Sequence, residues 1–162
     1  AFAAHELFSP DVMVSVGTVG ALVESAAEIG EVFLSKSFSY HDHRIPIAGW
    51  REMGKGDFPS FDTSSMAKEL GLRVASISTR NSLDESEVDL ENLRRSGAVL
   101  EDMESAALAW VCSLSATPFF AIKVVANHIT ATNSAADEFE KNLPKCVLAL
   151  KEAILRVLNR LD

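Results

Sequence analysis

The sequence predicts an α/β fold, in which helices cover a sheet. Two observations predict it. Apolar runs of strand length alternate along the chain with segments whose apolar residues recur at helical spacing, and 48% of the 162 residues are hydrophobic. A chain of this length can bury one core of ordinary density, so we expect a single domain over residues 1–162.

The individual elements follow from the same patterns. We predict strands over residues 12–16, 31–40, 72–79, 98–100 and 118–127, the first of them ending at Gly17. We predict helices over residues 21–29, 66–70, 106–111 and 139–158. Asp62 or Thr63 caps the second helix, Gly71 ends it, and Pro144 kinks or begins the last. Residues 41–60 are predicted to form a loop, and loops of this length are usually functional or mobile.

Charge and composition exclude several classes of partner. The formal net charge is −8, and there is no basic stripe that could neutralise a phosphate backbone. This pattern argues against nucleic acid and against anionic membrane surfaces as partners. No apolar run approaches the roughly 18 residues that a membrane-spanning helix needs. The sequence therefore predicts a soluble protein with no direct membrane span.

The two cysteines and the first residues bear on where the protein resides. Cys112 and Cys146 lie in segments typical of buried helix faces, which favours a reducing compartment, either the cytoplasm or an organelle interior. The chain starts at Ala1, and no basic region followed by an apolar core marks a targeting signal. We therefore expect a chain that is processed, truncated or incompletely known.

Polar or glycine residues follow several of the predicted strands, at the sheet edge where α/β proteins bind ligands. The Gly17-Thr18-Val19-Gly20 turn allows backbone N–H groups to approach a ligand, or it simply closes a strand. Glu104, after Asp102 and Met103, could accept hydrogen bonds from a sugar diol, or it only favours the first turn of a helix. Both interpretations of each motif stay open on the pattern alone.

Two further junctions carry polar side chains. The strand that contains Lys123 ends at Asn127, whose amide donates or accepts hydrogen bonds but does not ionise. The segment 80–84, Arg-Asn-Ser-Leu-Asp, could close over a flat ligand or could be an ordinary solvated loop.

The histidines do not indicate a metal site. His41 and His43 flank Asp42, but no cysteine or further carboxylate stands at helical spacing, and His5 and His128 are isolated in the sequence. We also find no nucleophile-elbow, phosphate-loop or zinc-protease motif. The sequence predicts no metal.

Six motifs in order carry a resemblance to a known family. They are Val-Gly-Thr-Val-Gly at 16–20, Ile-Gly-Glu-Val-Phe-Leu at 29–34, Tyr-His-Asp-His-Arg-Ile-Pro at 40–46, Ser-Leu-Asp at 82–84, Glu-Asp-Met-Glu-Ser-Ala-Ala at 101–107 and Pro-Phe-Phe-Ala-Ile-Lys-Val-Val at 118–125. Together they resemble the 5′-methylthioadenosine/S-adenosylhomocysteine nucleosidases, particularly the plant-type members. The resemblance runs from about Phe8 to the final helix, and the family's opening strands have no counterpart here.

This resemblance implies a fold, a reaction and partners. The fold is nucleoside-phosphorylase-like, a curved mixed sheet flanked by helices and here incomplete at the N-terminus, and the family usually forms homodimers. The implied reaction is hydrolysis of the adenine N-glycosidic bond of methylthioadenosine or adenosylhomocysteine. In that reaction one carboxylic acid protonates the purine N7 and a second carboxylate activates water. No metal or organic cofactor is implied.

Site residues carry over by position from the same resemblance. Met103 and Glu104 match the residues that hold the ribose, with Thr18 and Gly20 behind the sugar and Lys123 orienting Glu104. Leu83 and Asp84 match the loop that covers the base. Part of the segment 40–58 would reach the 5′-alkylthio pocket, often across a dimer.

The departures from the family pattern fall where the chemistry is expected. Asn127 stands in place of the aspartate that protonates the purine, and Ala126 replaces the hydroxyl residue before it. Arg80-Asn81 replaces a Gly-Asp pair, and the family's other catalytic carboxylate lies in the segment without a counterpart. Two hypotheses follow: an adenine-nucleoside hydrolase, or an inactive homologue that serves as a binding or structural subunit of a larger assembly. Without its first strands the domain would be poorly stable unless another chain covered it.

Overall fold

The computed structural model describes residues 1–50, 53–83, 86–129 and 135–161. Within them it has six strands: β1 (Met13–Leu22), β2 (Val32–Tyr40), β3 (Phe58–Pro59), β4 (Arg73–Thr79), β5 (Leu100–Asp102) and β6 (Phe119–Ile129). The helices are α1 (Phe2–Phe8), α2 (Ser64–Leu70), α3 (Glu87–Ser96), α4 (Ser105–Leu114) and α5 (Ala135–Leu158), and Val23–Ser25 forms one 3₁₀ turn. None of these helices is both long enough and apolar enough to cross a bilayer.

The strands form one mixed sheet that curves back on itself. The order is β3-β2-β4-β5-β1-β6, and β6 pairs again with β2. The β1–β6, β2–β4 and β4–β5 pairs are parallel, whereas β1–β5, β2–β6 and β2–β3 are antiparallel. The predicted α/β class and the curved mixed sheet flanked by helices are confirmed.

The two faces of β6 pack into different cores. Phe119, Ala121 and Val125 lie in a cluster that includes residues of α4, whereas Phe120 and Ile122 lie in a second cluster with residues of α2 and α5. Successive side chains of a strand point to opposite faces, so a strand with both faces covered is apolar along its length. Lys123 is the exception among the buried residues 119–126, and it is 2% exposed.

The first strand corrects the sequence prediction. We predicted a strand that ends at Gly17 and a helix over residues 21–29, but β1 continues to Leu22 and only the short 3₁₀ turn follows. Val19, Ala21 and Leu22 are buried, and β1 pairs with both β5 and β6 along this part. Tertiary pairing and burial thus outweigh the local glycine signal, and Gly17 and Gly20 lie inside a strand rather than in a turn.

The other predicted elements differ less. The predictions of β2, β4, α2, α4 and α5 are confirmed within a few residues. Helix α5 begins before Pro144, so this proline lies inside the helix. Helices α1 and α3 were not predicted. The start of α3 does have a signal in the sequence, which is the capping residue Ser86. Its side-chain oxygen accepts a hydrogen bond from the Asp89 backbone N–H at 3.1 Å, the arrangement of a capping motif.

Candidate functional site

The pairing of β1 with β5 and β6 brings Gly20, Glu101 and Asn127 together at the centre of the candidate site. Gly20 is opposite Glu101 on β5 and Asn127 on β6, at a bulge between Val19 and Gly20. A Cβ at Gly20 would lie 3.2 Å from Nδ2 of Asn127, 3.3 Å from Cγ of Glu101 and 3.1 Å from Cγ1 of Ile129. The absence of a side chain at Gly20 therefore leaves room for the side chains of Glu101 and Asn127 on the two neighbouring strands.

These positions line a cleft of about 260 Å³. Six of the residues predicted for the site border it: Thr18, Gly20, Leu83, Met103, Glu104 and Asn127. They come from strand and loop segments far apart in the sequence. The predicted base contact Asp84 lies outside the described residues, and Lys123 does not border the cleft but pairs with Asp102, which does. Clefts that hold small molecules typically have volumes of about 300–1,000 Å³. This cleft lies just below that range, so it suits a small ligand.

Glu104 stands at the junction of β5 and α4, with Met103 beside it. Both residues are exposed, and Glu104 is the N-cap residue of α4. No partner for the Glu104 carboxylate is found among the described residues. A carboxylate at a helix N-terminus is favoured by the helix dipole, and it can still accept hydrogen bonds from a ligand.

Asp102 and Lys123 form a buried ion pair below Glu104. Lys123 Nζ lies 2.8 Å from Asp102 Oδ2, and the two side chains are 2% and 1% exposed. Asp102 Oδ1 accepts hydrogen bonds from Thr79 Oγ1 at 2.7 Å and from the Glu104 backbone N–H at 3.3 Å. Lys123 therefore contacts Asp102 directly, and Asp102 in turn accepts from the Glu104 backbone. That Lys123 orients Glu104 stays a prediction, and these contacts give it an indirect route through Asp102.

The ion pair determines the protonation of Asp102. Burial by itself raises the pKa of this carboxyl, but the Lys123 ammonium and the hydrogen bonds from Ser105 and Thr79 outweigh burial, so its pKa is lowered. A lowered pKa means that the pair stabilises the fold above about pH 4, where an unfolded aspartate ionises, and that this stabilisation is lost as the pH falls through the lower folded value.

A second ionic group at the cleft was missed at the level of sequence. Arg80 Nη2 lies 2.9 Å from Glu101 Oε1, and Glu101 Oε2 lies 3.5 Å from His41 Nε2. All three residues are buried, at 3%, 6% and 3% exposed for Arg80, Glu101 and His41. Two adjacent acidic residues, Glu101 and Asp102, directly after an apolar run were the available signal, because a buried charge requires a partner. No group of three metal-binding side chains gathers here or elsewhere in the described ranges.

The histidines that are isolated in the sequence have partners in the fold. His128 follows Asn127, and its Nδ1 lies 3.3 Å from Oε1 of Glu138 on α5, while its Nε2 lies 2.9 Å from the Ala27 carbonyl oxygen. His5 Nδ1 lies 3.0 Å from Thr117 Oγ1. The contacts of His128 fix the strand end that carries Asn127.

We expect Gly20→Ala to destabilise the fold by about 1–3 kcal/mol, the usual cost of an added methyl group in a packed site. The added Cβ would meet Ile129, Asn127 and Glu101 at 3.1–3.3 Å, so all three side chains must shift. Urea denaturation measures the change in free energy of unfolding. A variant as stable as the parent would show that the cleft wall yields freely.

Comparison with known proteins agrees with this geometry. A model of the phosphorylase superfamily matches residues 1–159, so the chain belongs to that superfamily. The curved mixed sheet flanked by helices is thus the fold of a phosphorylase-superfamily domain.

Within the superfamily, the predicted resemblance to methylthioadenosine nucleosidases is confirmed. The 5′-methylthioadenosine nucleosidase of Arabidopsis thaliana is 35% identical over 158 residues, which are 98% of this chain and 59% of that protein. The 5′-methylthioadenosine/S-adenosylhomocysteine nucleosidase of the same plant is 32% identical over 150 residues, 93% of this chain and 59% of that protein. The apo structure of the first superposes with a TM-score of 0.95 at 35% identity, over 99% of this chain and 66% of that chain. This chain therefore spans 59% of the length of these curated relatives.

Proposed function

We propose that this chain binds an adenine nucleoside of the methylthioadenosine or adenosylhomocysteine class, with the ribose at Glu104 and the base near Asn127. The observation that carries the proposal is the Glu104 carboxylate, which borders the cleft and has no partner among the described residues. An ionised carboxylate accepts strong hydrogen bonds from two neighbouring hydroxyl groups, which a ribose provides at its 2′ and 3′ positions. The names of the similar proteins support the adenine nucleoside class.

Asn127 favours binding over cleavage. A carboxamide matches the N6 and N7 edge of adenine, because its N–H₂ donates to N7 and its oxygen accepts from the N6 amino group. The same amide has no acidic proton to deliver to N7, so it does not promote departure of the base. We therefore propose that the nucleoside is bound intact, or is cleaved much more slowly than it would be with an aspartate at this position. No cofactor enters this scheme.

One experiment tests binding and cleavage together. Adenine release from methylthioadenosine and adenosylhomocysteine is measured with natively purified protein, and nucleoside binding is measured on the same sample by calorimetry. We expect binding with little or no adenine release. Rapid release would identify an active hydrolase and contradict the proposal, whereas the absence of both binding and release would favour a purely structural subunit.

We expect Glu104→Ala to weaken methylthioadenosine binding by at least tenfold, the usual effect of losing hydrogen bonds to a charged group. Free adenine, which has no ribose, should bind nearly as before. Calorimetry with both ligands separates the two effects. Glu87→Ala is the matched control, because Glu87 is also an exposed glutamate at the start of a helix but does not border the cleft. Equal weakening for adenine and for the nucleoside would place Glu104 away from the ribose.

We further propose that the chain works within a homodimer or a larger assembly. Its surface carries large exposed apolar side chains, among them Leu7, Phe8, Leu114 and Leu148, each at least 65% exposed. Exposed apolar side chains in such numbers are common on surfaces that another protein covers. Light scattering on the natively purified protein tests this proposal, and a monomer at all concentrations would contradict it.

A further inference from the structure

One wall of the cleft contains a buried ionic chain that the proposed contacts to ribose and base do not use. Arg80 follows β4, and its Nη2 donates to Glu101 Oε1 over 2.9 Å. Glu101 in turn lies 3.5 Å from His41, whose Nδ1 lies 2.9 Å from Ser78 Oγ. A buried charge is costly without its partner, so such a chain holds its members in one arrangement. The guanidinium of Arg80 is thus fixed in place from the protein interior.

The same guanidinium also reaches the loop that follows β4. Arg80 Nη2 donates to the backbone carbonyl oxygen of Leu83 over 3.0 Å. Leu83 is 53% exposed, so apolar burial does little to hold this loop. At its other end, Asn81 donates through its backbone N–H and its Nδ2 to Asp42 Oδ2, at 2.8 Å each. Polar contacts therefore hold residues 81–83 at both ends.

We propose that Arg80 is a positioning residue of the nucleoside site: neutralised by Glu101, it holds the Leu83 carbonyl and so sets residues 81–83 in place before a ligand binds. The inference rests on the proposed function, because Ser82 and Leu83 border the same cleft as Asn127. A loop that is ordered in advance loses less conformational freedom on binding, and the ligand binds correspondingly more tightly. Arg80 thus affects ligand binding through this loop, and Glu101 holds Arg80 in place.

A different role for Arg80 predicts the opposite change in nucleoside affinity. Its side chain borders the cleft, so a side chain that merely filled space there would reduce the affinity for a nucleoside. Removal of Arg80 would then tighten binding. Under the positioning role, removal weakens binding and loosens the loop even in the absence of ligand.

The test uses the double variant Arg80→Met/Glu101→Gln, because removal of Arg80 alone would take away the guanidinium that lies 2.9 Å from the buried Glu101 carboxylate. We expect methylthioadenosine to bind about tenfold more weakly, as for the loss of a hydrogen bond from a charged donor. In the ligand-free protein, the Asn81 amide should exchange its hydrogen faster, while the midpoint of thermal unfolding changes little. Arg94→Met is the control, because Arg94 forms an exposed pair with Glu24, at 2.6 Å, and it should change none of the three quantities.

Each outcome decides the proposal. Weaker binding with faster exchange confined to the loop supports it. Tighter binding, or unchanged binding and exchange, overturns it, and so does a large fall in the thermal midpoint with faster exchange along the whole chain, which would indicate a purely structural role. If the parent protein binds no nucleoside, the proposed function fails, and the exchange of the Asn81 amide in the ligand-free variant still decides whether Arg80 positions the loop.

Discussion

Replacing Asn127 by aspartate should raise adenine release from methylthioadenosine by at least tenfold. A carboxylic acid can deliver a proton to the purine N7, which the amide cannot, and a positioned general acid typically contributes about 10²–10⁴-fold in rate. Asn127 is half-buried, and partial burial raises the pKa of an introduced carboxyl, which favours the protonated form that donates. Single-turnover assays that separate adenine from the nucleoside by chromatography measure the change.

Asn127→Leu is the matched control for this substitution. Leucine has a similar size but neither donates nor accepts hydrogen bonds, so this variant should show weaker binding and no gain in adenine release. If Asn127→Asp binds the nucleoside but releases no more adenine than the parent, a second group is missing from the site.

Lys123→Met should lower the free energy of unfolding by about 3–5 kcal/mol, the usual cost of removing one partner of a buried ion pair. The lysine side chain is 2% exposed, and its loss leaves the Asp102 carboxylate, 1% exposed, without its cation. Asp102 also accepts from the backbone N–H groups of Glu104 and Ser105, so a shift of Asp102 would disturb the first turn of α4. Urea denaturation followed by circular dichroism gives the free energy.

Two further variants separate the buried charge from other effects of the substitution. Lys123→Met/Asp102→Asn removes both charges and should recover at least half of the lost stability, because no buried charge is left unpaired. Arg160→Met removes a guanidinium from an exposed pair with Glu69, at 3.6 Å, and should change the stability by less than about 1 kcal/mol. A Lys123→Met variant as stable as Arg160→Met would contradict the role of the ion pair.

Much of the fold could be predicted from the sequence, because it depends on short-range patterns. The alternation of apolar runs and helical periods indicated the α/β class, and it located β2, β4 and α4 within a few residues. The ends of strands also indicated where a cleft would form, and Glu104, Met103 and Asn127 do border one cleft. These features are local: burial and helical spacing depend on residues close in the chain.

The sequence by itself thus determined the class of fold, the family resemblance and the group of residues at the cleft. Only the tertiary structure decided that β1 continues through Gly20, that Lys123 pairs with Asp102 and that Glu101 joins Arg80 to His41. The physical reason is that a strand register and the partner of a buried charge depend on contacts between residues far apart in the chain. In the ion pair of Lys123 and Asp102 those contacts outweigh any local preference, since a buried charge is stable only beside its partner.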